Sequence, residues 1–162
     1  MEKSGMAEER KAESPLIKFF QDIKGKSLKN FPGPPFTKWL NGKVVDVKRG
    51  EIQFEFVVRE EMANPTGILH VGMQSAMLDD LIGITCATLG YEGFPLSIDM
   101  HVDYLGRVKI GETVTGRAFI VREGRNIIHA MAELKDKDGK LIATGNSNLL
   151  ITHYKPDYTK FK

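Results

Sequence analysis

Cysteine is all but missing from this 162-residue sequence: Cys86 stands alone. That excludes an intramolecular disulfide and a thiolate zinc cluster. Long apolar runs are missing too, and none approaches the roughly 20 residues that cross a bilayer. No sign of charge dominates, with 23 Lys+Arg against 21 Asp+Glu and a formal net charge of +2. Nucleic acid is therefore not expected as a partner, and neither is a membrane. The opening Met1-Glu2-Lys3-Ser4-Gly5 runs into charge without an apolar h-region, so no secretory leader is expected. The histidines share no spacing that suggests a metal site, and none is expected. Internal repeats and low-complexity tracts are absent. What these absences leave is a cytoplasmic protein with one core, at a length within the usual range of about 100–200 residues per domain.

What is present falls into three stretches. Residues 1–35 read as an N-terminal arm: alternating charge, then Ser14-Pro15 as an N-cap with proline at the first helical position. Leu16, Phe19, Phe20 and Ile23 follow at helical spacing, Gly25 closes the helix, and Phe31-Pro32-Gly33-Pro34-Pro35 breaks the chain. This short amphipathic helix must bury its stripe on something larger, and the arm is placed to cover a pocket or a dimer edge. Residues 36–152 form the main unit. Val44 to Val47 and Ile52 to Val58 read as a hairpin turning at Arg49-Gly50. One long helix is expected from about His70 to Leu89, with Met73, Met77, Leu81, Ile84 and Thr88 on its buried stripe and Gly90 as its stop. Four strands follow: Ser97 to Leu105, Glu112 to Arg122, Asn126 to Lys135 and Leu141 to Ile151. In the first, Ile98, Met100, Val102 and Tyr104 face one way. Two strands, one helix and four long strands make an α+β layer: an antiparallel, curved sheet around a single helix. Residues 153–162 are a basic and aromatic tail, either a solvated end or a phosphate or partner contact.

Three features can carry chemistry. Asn64-Pro65-Thr66-Gly67-Ile68-Leu69-His70-Val71-Gly72 leads into the long helix, whose free N–H groups and dipole favour a developing oxyanion. Gly72 lets a ligand approach the backbone, and His70 is either a polariser of a carbonyl or a cap. Asp79 lies mid-helix with Gly72, Ser75, Ala76 and Gly83 on its face. A carboxylate in such a dry, roomy site has a raised pKa and can act as a general base; the other reading is an acid on the solvent face. Asp80 points about 100° away, so only one of the two acids faces a given site. Arg122 and Arg125 flank Gly124 at a hairpin turn, a phosphate cradle or a solvated tip. Cys86 has no activating neighbour and reads as an inert buried thiol.

Asn64-x5-His70-Val71-Gly72-x6-Asp79, with Ser97-x-Asp99 and Tyr104 beyond and Gly139-Lys140-Leu141-Ile142-Ala143-x-Gly145 near the end, resembles the hotdog-fold acyl-CoA thioesterases of the phenylacetate-degradation (PaaI-like) type. The likeness covers about Val44 to Thr152. It implies a homodimer, usually a dimer of dimers, with active sites between protomers. Asp79 matches the family's base or nucleophile, and Asn64 the residue that positions the carbonyl or the nucleophile. The N–H of Val71, after His70 and before Gly72, matches the oxyanion donor. Ser97 matches a hydroxyl that, in some members, orients the attacking water from the neighbouring chain. Tyr104, Arg122, Gly124, Arg125 and Asn126 match the CoA-binding set. The family commonly has glycine where this chain has Val71, which points to a narrowed substrate range.

The resemblance therefore implies hydrolysis of an acyl-CoA thioester to free acid and CoA, with no cofactor beyond the CoA of the substrate. The alternative is a non-catalytic acyl-CoA binder or sensor, which Val71 favours. A hotdog hydratase needs an Asp and a His on the helix side, and Asp99-Met100-His101 lies on a strand.

Overall fold

The structure is a computed structural model that describes residues 14–155. The charged opening, residues 1–13, and residues 156–162 of the tail lie outside the described residues. Three helices and seven strands follow in the order α1 (Pro15–Asp22), α2 (Pro35–Leu40), β1 (Lys43–Lys48), β2 (Glu51–Val57), α3 (Val71–Ala87), β3 (Pro95–Ser97), β4 (His101–Tyr104), β5 (Thr113–Glu123), β6 (Ile127–Lys135) and β7 (Leu141–Ile151). Every strand pairing is antiparallel, in the order β1-β2-β5-β6-β7-β3, with β4 also on β7. The long helix α3 lies across this sheet. That is the expected α+β, hotdog arrangement.

Alternation makes the sheet. In β2 Ile52, Phe54 and Phe56 are buried while Gln53 and Glu55 are only partly covered, so one face meets the helix and the other does not. The β1–β2 hairpin turns at Arg49-Gly50 as expected, with Gly50 at φ 75°. Strands β5 and β7 each run 11 residues, long enough to curl round a helix.

Helix α3 buries Gln74, Met77, Leu78, Leu81, Ile82, Thr85 and Cys86. The stripe drawn from sequence is therefore rotated. Met77, Leu81 and Thr88 are buried, but Met73 and Ile84 only flank the core. A helix laid on a curved sheet is covered over more than one narrow stripe. Its opposite face, with Val71, Gly72, Asp79 and Gly83, is open in the single chain.

The expected strand Ser97 to Leu105 is two short strands, because the chain bends between them. Asn148 on β7 donates to Asp99 twice, from its backbone N to Oδ1 and from Nδ2 to Oδ2, both at 2.8 Å. Ser147 Oγ donates to the Asp99 carbonyl at 2.7 Å. This clamp spends Asp99 on β7 and breaks the alternation: Ile98 and Tyr104 stand exposed, and only Met100 and Val102 pack on the core.

The N-terminal segment is packed into the same core. Ser14 caps α1 by accepting the Leu16 N–H at 3.4 Å, and its Oγ donates to the Ala87 carbonyl at the end of α3 at 3.3 Å. Phe20 is fully buried between the Phe31 and Phe54 rings, at centroid distances of 5.5 and 5.6 Å. Burying one such ring contributes roughly 1.5–3 kcal/mol, which fixes the segment against the sheet.

Candidate active site

The start of α3 is built by the loop before it. Asn64 Oδ1 accepts from Thr66 N at 2.9 Å, Thr66 Oγ1 at 2.7 Å and Ile68 N at 3.3 Å. These bonds fold residues 64–68 into a tight turn, while the Asn64 Nδ2 has no hydrogen bond among the described residues. His70 N donates to Met62 O at 2.9 Å. Its ring is the N-cap: Nδ1 accepts the Gly72 N–H at 2.9 Å. Gly72 also makes room for that ring, since a Cβ there would lie 3.0 Å from His70 Nδ1. The structure thus gives both residues a capping role. The Val71 N–H, by contrast, has no acceptor among the described residues. Val71 is the first helical residue, with no positive φ, and its side chain is 47% exposed. An unpaired N–H at the positive end of a 17-residue helix is a hydrogen-bond donor in a field that favours negative charge.

Two turns further along, the acids separate. Asp79 stands at the open face beside Ser97 at the end of β3. Surrounding protein desolvates its carboxyl and raises its pKa, and the hydrogen bond with Ser97 works against that rise. Asp80 is turned under α2, where Thr37 Oγ1 donates to its Oδ1 at 2.6 Å. Burial pushes Asp80 up to about 6, with Thr37 opposing and the neighbouring Asp79 adding to the shift. Thr37 itself is 2% exposed.

Both acids line a cavity of about 730 Å³. One wall is the outer face of α3, with Gly83, Ile84 and Ala87. Phe94, Leu96 and Ser97 come from the segment after α3, and Leu16, Phe19, Phe31 and Pro32 from the N-terminal segment. The aromatic wall was not legible beforehand; Gly83 on the face of Asp79 was the available signal. Gly83 costs the helix about 1 kcal/mol relative to alanine. A second hollow, about 440 Å³ near Lys48 to Glu51 and Phe119 to Val121, holds none of the candidate residues.

The CoA-binding candidates lie apart from this cavity. Arg122, Gly124, Arg125 and Asn126 form the β5–β6 tip, where Gly124 N donates to Ile127 O at 3.0 Å and a Cβ at 124 would lie 2.6 Å from that oxygen. Neither arginine has an ion-pair partner among the described residues. Ile128 pairs with Leu149 and Leu149 with Ser97, so the tip is about two strand spacings, about 10 Å, from the Ser97 rung. Tyr104 is 46% exposed, and its OH meets Ser75 Oγ at 2.5 Å. Cys86 is buried, its thiol pushed up to about 12. Among the described residues no cluster of His, Cys, Asp and Glu can hold a metal ion, and no helix is long and apolar enough to cross a membrane.

A single helix wrapped by an antiparallel sheet, with an acid at a cavity mouth and an unpaired N–H at the helix start, defines a hotdog-fold protein of thioesterase type. Residues 66–143 match the Thioesterase superfamily. The human acyl-coenzyme A thioesterase 13 is 31% identical over 109 residues, 64% of this chain and 76% of that protein. The mouse protein of the same name is 34% identical over 94 residues, 56% of this chain and 66% of its own length. A phenylacetic acid degradation-related protein of Ralstonia eutropha superposes with a TM-score of 0.70 at 27% identity, covering 84% of this chain and 98% of that one. A Streptococcus mutans protein solved with acetyl-CoA shares the fold, at TM-score 0.67 and 18% identity over 72% of this chain and 92% of its own. The chain belongs to the thioesterase superfamily, and its structural neighbours include PaaI-like thioesterases.

Proposed function

We infer that this protein hydrolyses acyl-CoA thioesters to the free acid and CoA. The observation that carries this reading is Asp79: a carboxylate with a raised pKa, beside the Ser97 hydroxyl, at the mouth of a largely apolar cavity. Water held by Ser97 gives a proton to Asp79 and attacks the thioester carbonyl carbon. The oxygen that gains charge is met by the Val71 N–H and the Asn64 amide. The C–S bond then breaks, the CoA sulfur leaves as thiolate and takes up a proton, and the acid departs. Arg122 and Arg125, at the tip that carries Gly124 and Asn126, hold the CoA phosphates, and Tyr104 borders the path. No cofactor is needed.

Helical rise separates Val71 from Asp79 by about 12 Å, too far for one chain to serve both sides of a carbonyl. We take the functional unit to be a homodimer in which the open faces of two α3 helices run antiparallel, bringing Val71 and Asn64 of one protomer to Asp79 and Ser97 of its partner. The open face of α3 and the exposed Leu96, Ile98 and Leu105 beside the β3–β4 edge support this arrangement, which can pair again into a tetramer.

Thiol release from a panel of acyl-CoA esters tests the reading. The wild type is expected to turn over, and Asp79→Asn to be nearly dead. Equal rates for the two proteins would refute Asp79 as the base. Tight acyl-CoA binding with no turnover by the wild type would make the protein a binder instead. Solvent oxygen label in the Asp79 carboxylate after one turnover would mark it as a nucleophile.

A further inference from the structure

A row of polar side chains crosses the outer face of the sheet, the side away from α3. His129 on β6 lies between the buried Ile128 and Ala130, and Asn148 on β7 between the buried Ser147 and Leu149. Alternation turns both side chains outward. Across the strands, Arg122 on β5 and Asn148 on β7 are the two partners of His129. Glu123, the residue after Arg122, turns to the helix side. There it accepts from Arg49 Nη1 and Nη2 at 2.9 Å each and from the Tyr91 hydroxyl at 2.7 Å. The same Arg49 donates to the Leu89 carbonyl just beyond α3. Arg122 therefore faces outward beside His129, and the Cβ atoms of such a cross-strand pair lie about 4.5–5.5 Å apart. Asp99, bonded to Asn148, completes the row.

The hydrogen bonds of this row can run in one direction only. Asp99 accepts from Asn148 N and Nδ2. The Asn148 side-chain amide, then its backbone N–H, hold the Asp99 carboxyl below the usual carboxylate range, and the charge of His129 adds to this. A carboxylate offers no proton, so Asn148 turns Nδ2 to Asp99 and Oδ1 to His129. That oxygen lies 2.9 Å from His129 Nδ1. It only accepts, so Nδ1 carries a proton and Nε2 is the free end of the ring. Nε2 has no hydrogen bond among the described residues. Around the ring, β5 brings Arg122, the β3–β4 segment brings Asp99, and β7 brings no titratable group. Nearby acids on this face already have partners: Asp103 meets His101 at 3.4 Å, and Glu133 meets Lys135 at 2.8 Å. Arg122 and Arg125 have no ion-pair partner among the described residues.

We propose that His129 is a third phosphate ligand for CoA beside Arg122 and Arg125, its Nε2 presented by Asp99 acting through Asn148. The proposal rests on the acyl-CoA reading. A protonated ring donates from both nitrogens, to Asn148 on one side and to a phosphate oxygen on the other. The negative charge of Asp99 behind the ring and that of the phosphate in front both favour this form. Asn148 is a positioning residue, since it touches the ring and not the ligand. Strand β6 lies inside the sheet, away from the β3–β4 edge and the α3 face that the proposed homodimer buries.

Calorimetry with CoA tests this in wild type, His129→Gln and His129→Arg, at about pH 5.5 and about pH 8. His129→Gln is expected to weaken CoA about tenfold at the lower pH and within about twofold at the higher, where a neutral ring has no Nε2 proton to give. The second ionisation of the phosphate acts on all three proteins and cancels in the ratio. His129→Arg keeps a cation at the site and should bind within about threefold of wild type at both pH values. Asn148→Leu should cost about fivefold at the lower pH, and almost nothing further when His129 is already glutamine. Repeating the titration with 3′-dephospho-CoA identifies the phosphate: the His129→Gln loss disappears if the ring meets the 3′-phosphate and persists if it meets the pyrophosphate. An equal loss at both pH values, no loss at either, or a loss in His129→Arg as large as in His129→Gln would overturn the proposal. Additive losses for Asn148→Leu and His129→Gln would overturn the positioning role. A wild type that fails to bind CoA would sink the proposal outright. One that binds CoA with the expected ratios yet cleaves no acyl-CoA would leave it standing and remove only the hydrolase reading.

Discussion

Asp79 and Asp80 are the same side chain on adjacent residues of one helix, yet they occupy two different regions of the molecule. Asp79 looks out across the open face of α3, next to a hydroxyl from another strand. Asp80 looks under α2 and is bonded to a threonine that is itself buried. Burial raises both pKa values, so the direction of the shift does not tell the two acids apart. Access does. Asp79 is open to an approaching group from the outer face of α3, whereas Asp80, though it also lines the cavity, has one carboxylate oxygen held by Thr37.

The sharpest break of this comparison is Asp79→Asn. It keeps shape and removes the proposed base, so kcat should fall by about 10²–10⁴-fold with KM little changed in steady-state thiol release. A comparable loss in Asp80→Asn instead would reverse the assignment. Next comes Ser97→Ala, expected to lower kcat by about tenfold. Because the Ser97 hydrogen bond holds the Asp79 pKa down, its loss raises that pKa further. The acidic limb of the pH–rate profile should therefore move to higher pH, which a merely structural serine would not cause.

Arg122→Ala combined with Arg125→Ala touches neither acid. It should raise KM for CoA esters by about tenfold while kcat is kept, and the effect should shrink as salt is added. The smallest effect on rate belongs to Asp80→Asn, within about threefold, but it should appear in stability. A carboxyl whose folded pKa is raised binds its proton more tightly when folded. Its ionisation therefore costs stability as pH rises from about 4 to about 6 and beyond. The amide oxygen introduced by Asp80→Asn can still accept from Thr37 Oγ1, so the variant should be more stable to unfolding than wild type at pH 8, by on the order of 1–3 kcal/mol in denaturant melts. That gain should vanish near pH 4.

Local signals were legible in the sequence. Ser14-Pro15 marked the start of α1, Arg49-Gly50 the hairpin, Gly90 the end of α3, and alternation the long strands. Asp79 stood out through the small residues on its helical face. Contacts between distant residues were not legible. The bond from Thr37 to Asp80 spans 43 residues and the clamp from Asn148 to Asp99 spans 49, and neither leaves a periodic trace. For that reason one strand was expected where the chain bends, and the aromatic wall opposite Asp79 went unseen. The capping role of the His70 ring was one of two open readings, because nothing in the order of residues says where an imidazole turns.

The bend at Ile98–Met100 has a meaning for self-recognition. A sheet margin with free N–H and C=O groups accepts almost any extended chain. Here that margin is notched, with two short runs separated by a segment whose aspartate is tied back to β7. A straight strand laid along it finds its ladder interrupted. Only a chain carrying the same irregularity in matching register can follow it throughout. In the proposed homodimer the notch would work as a password at the sheet's margin, one that a second copy of this protein would know by construction.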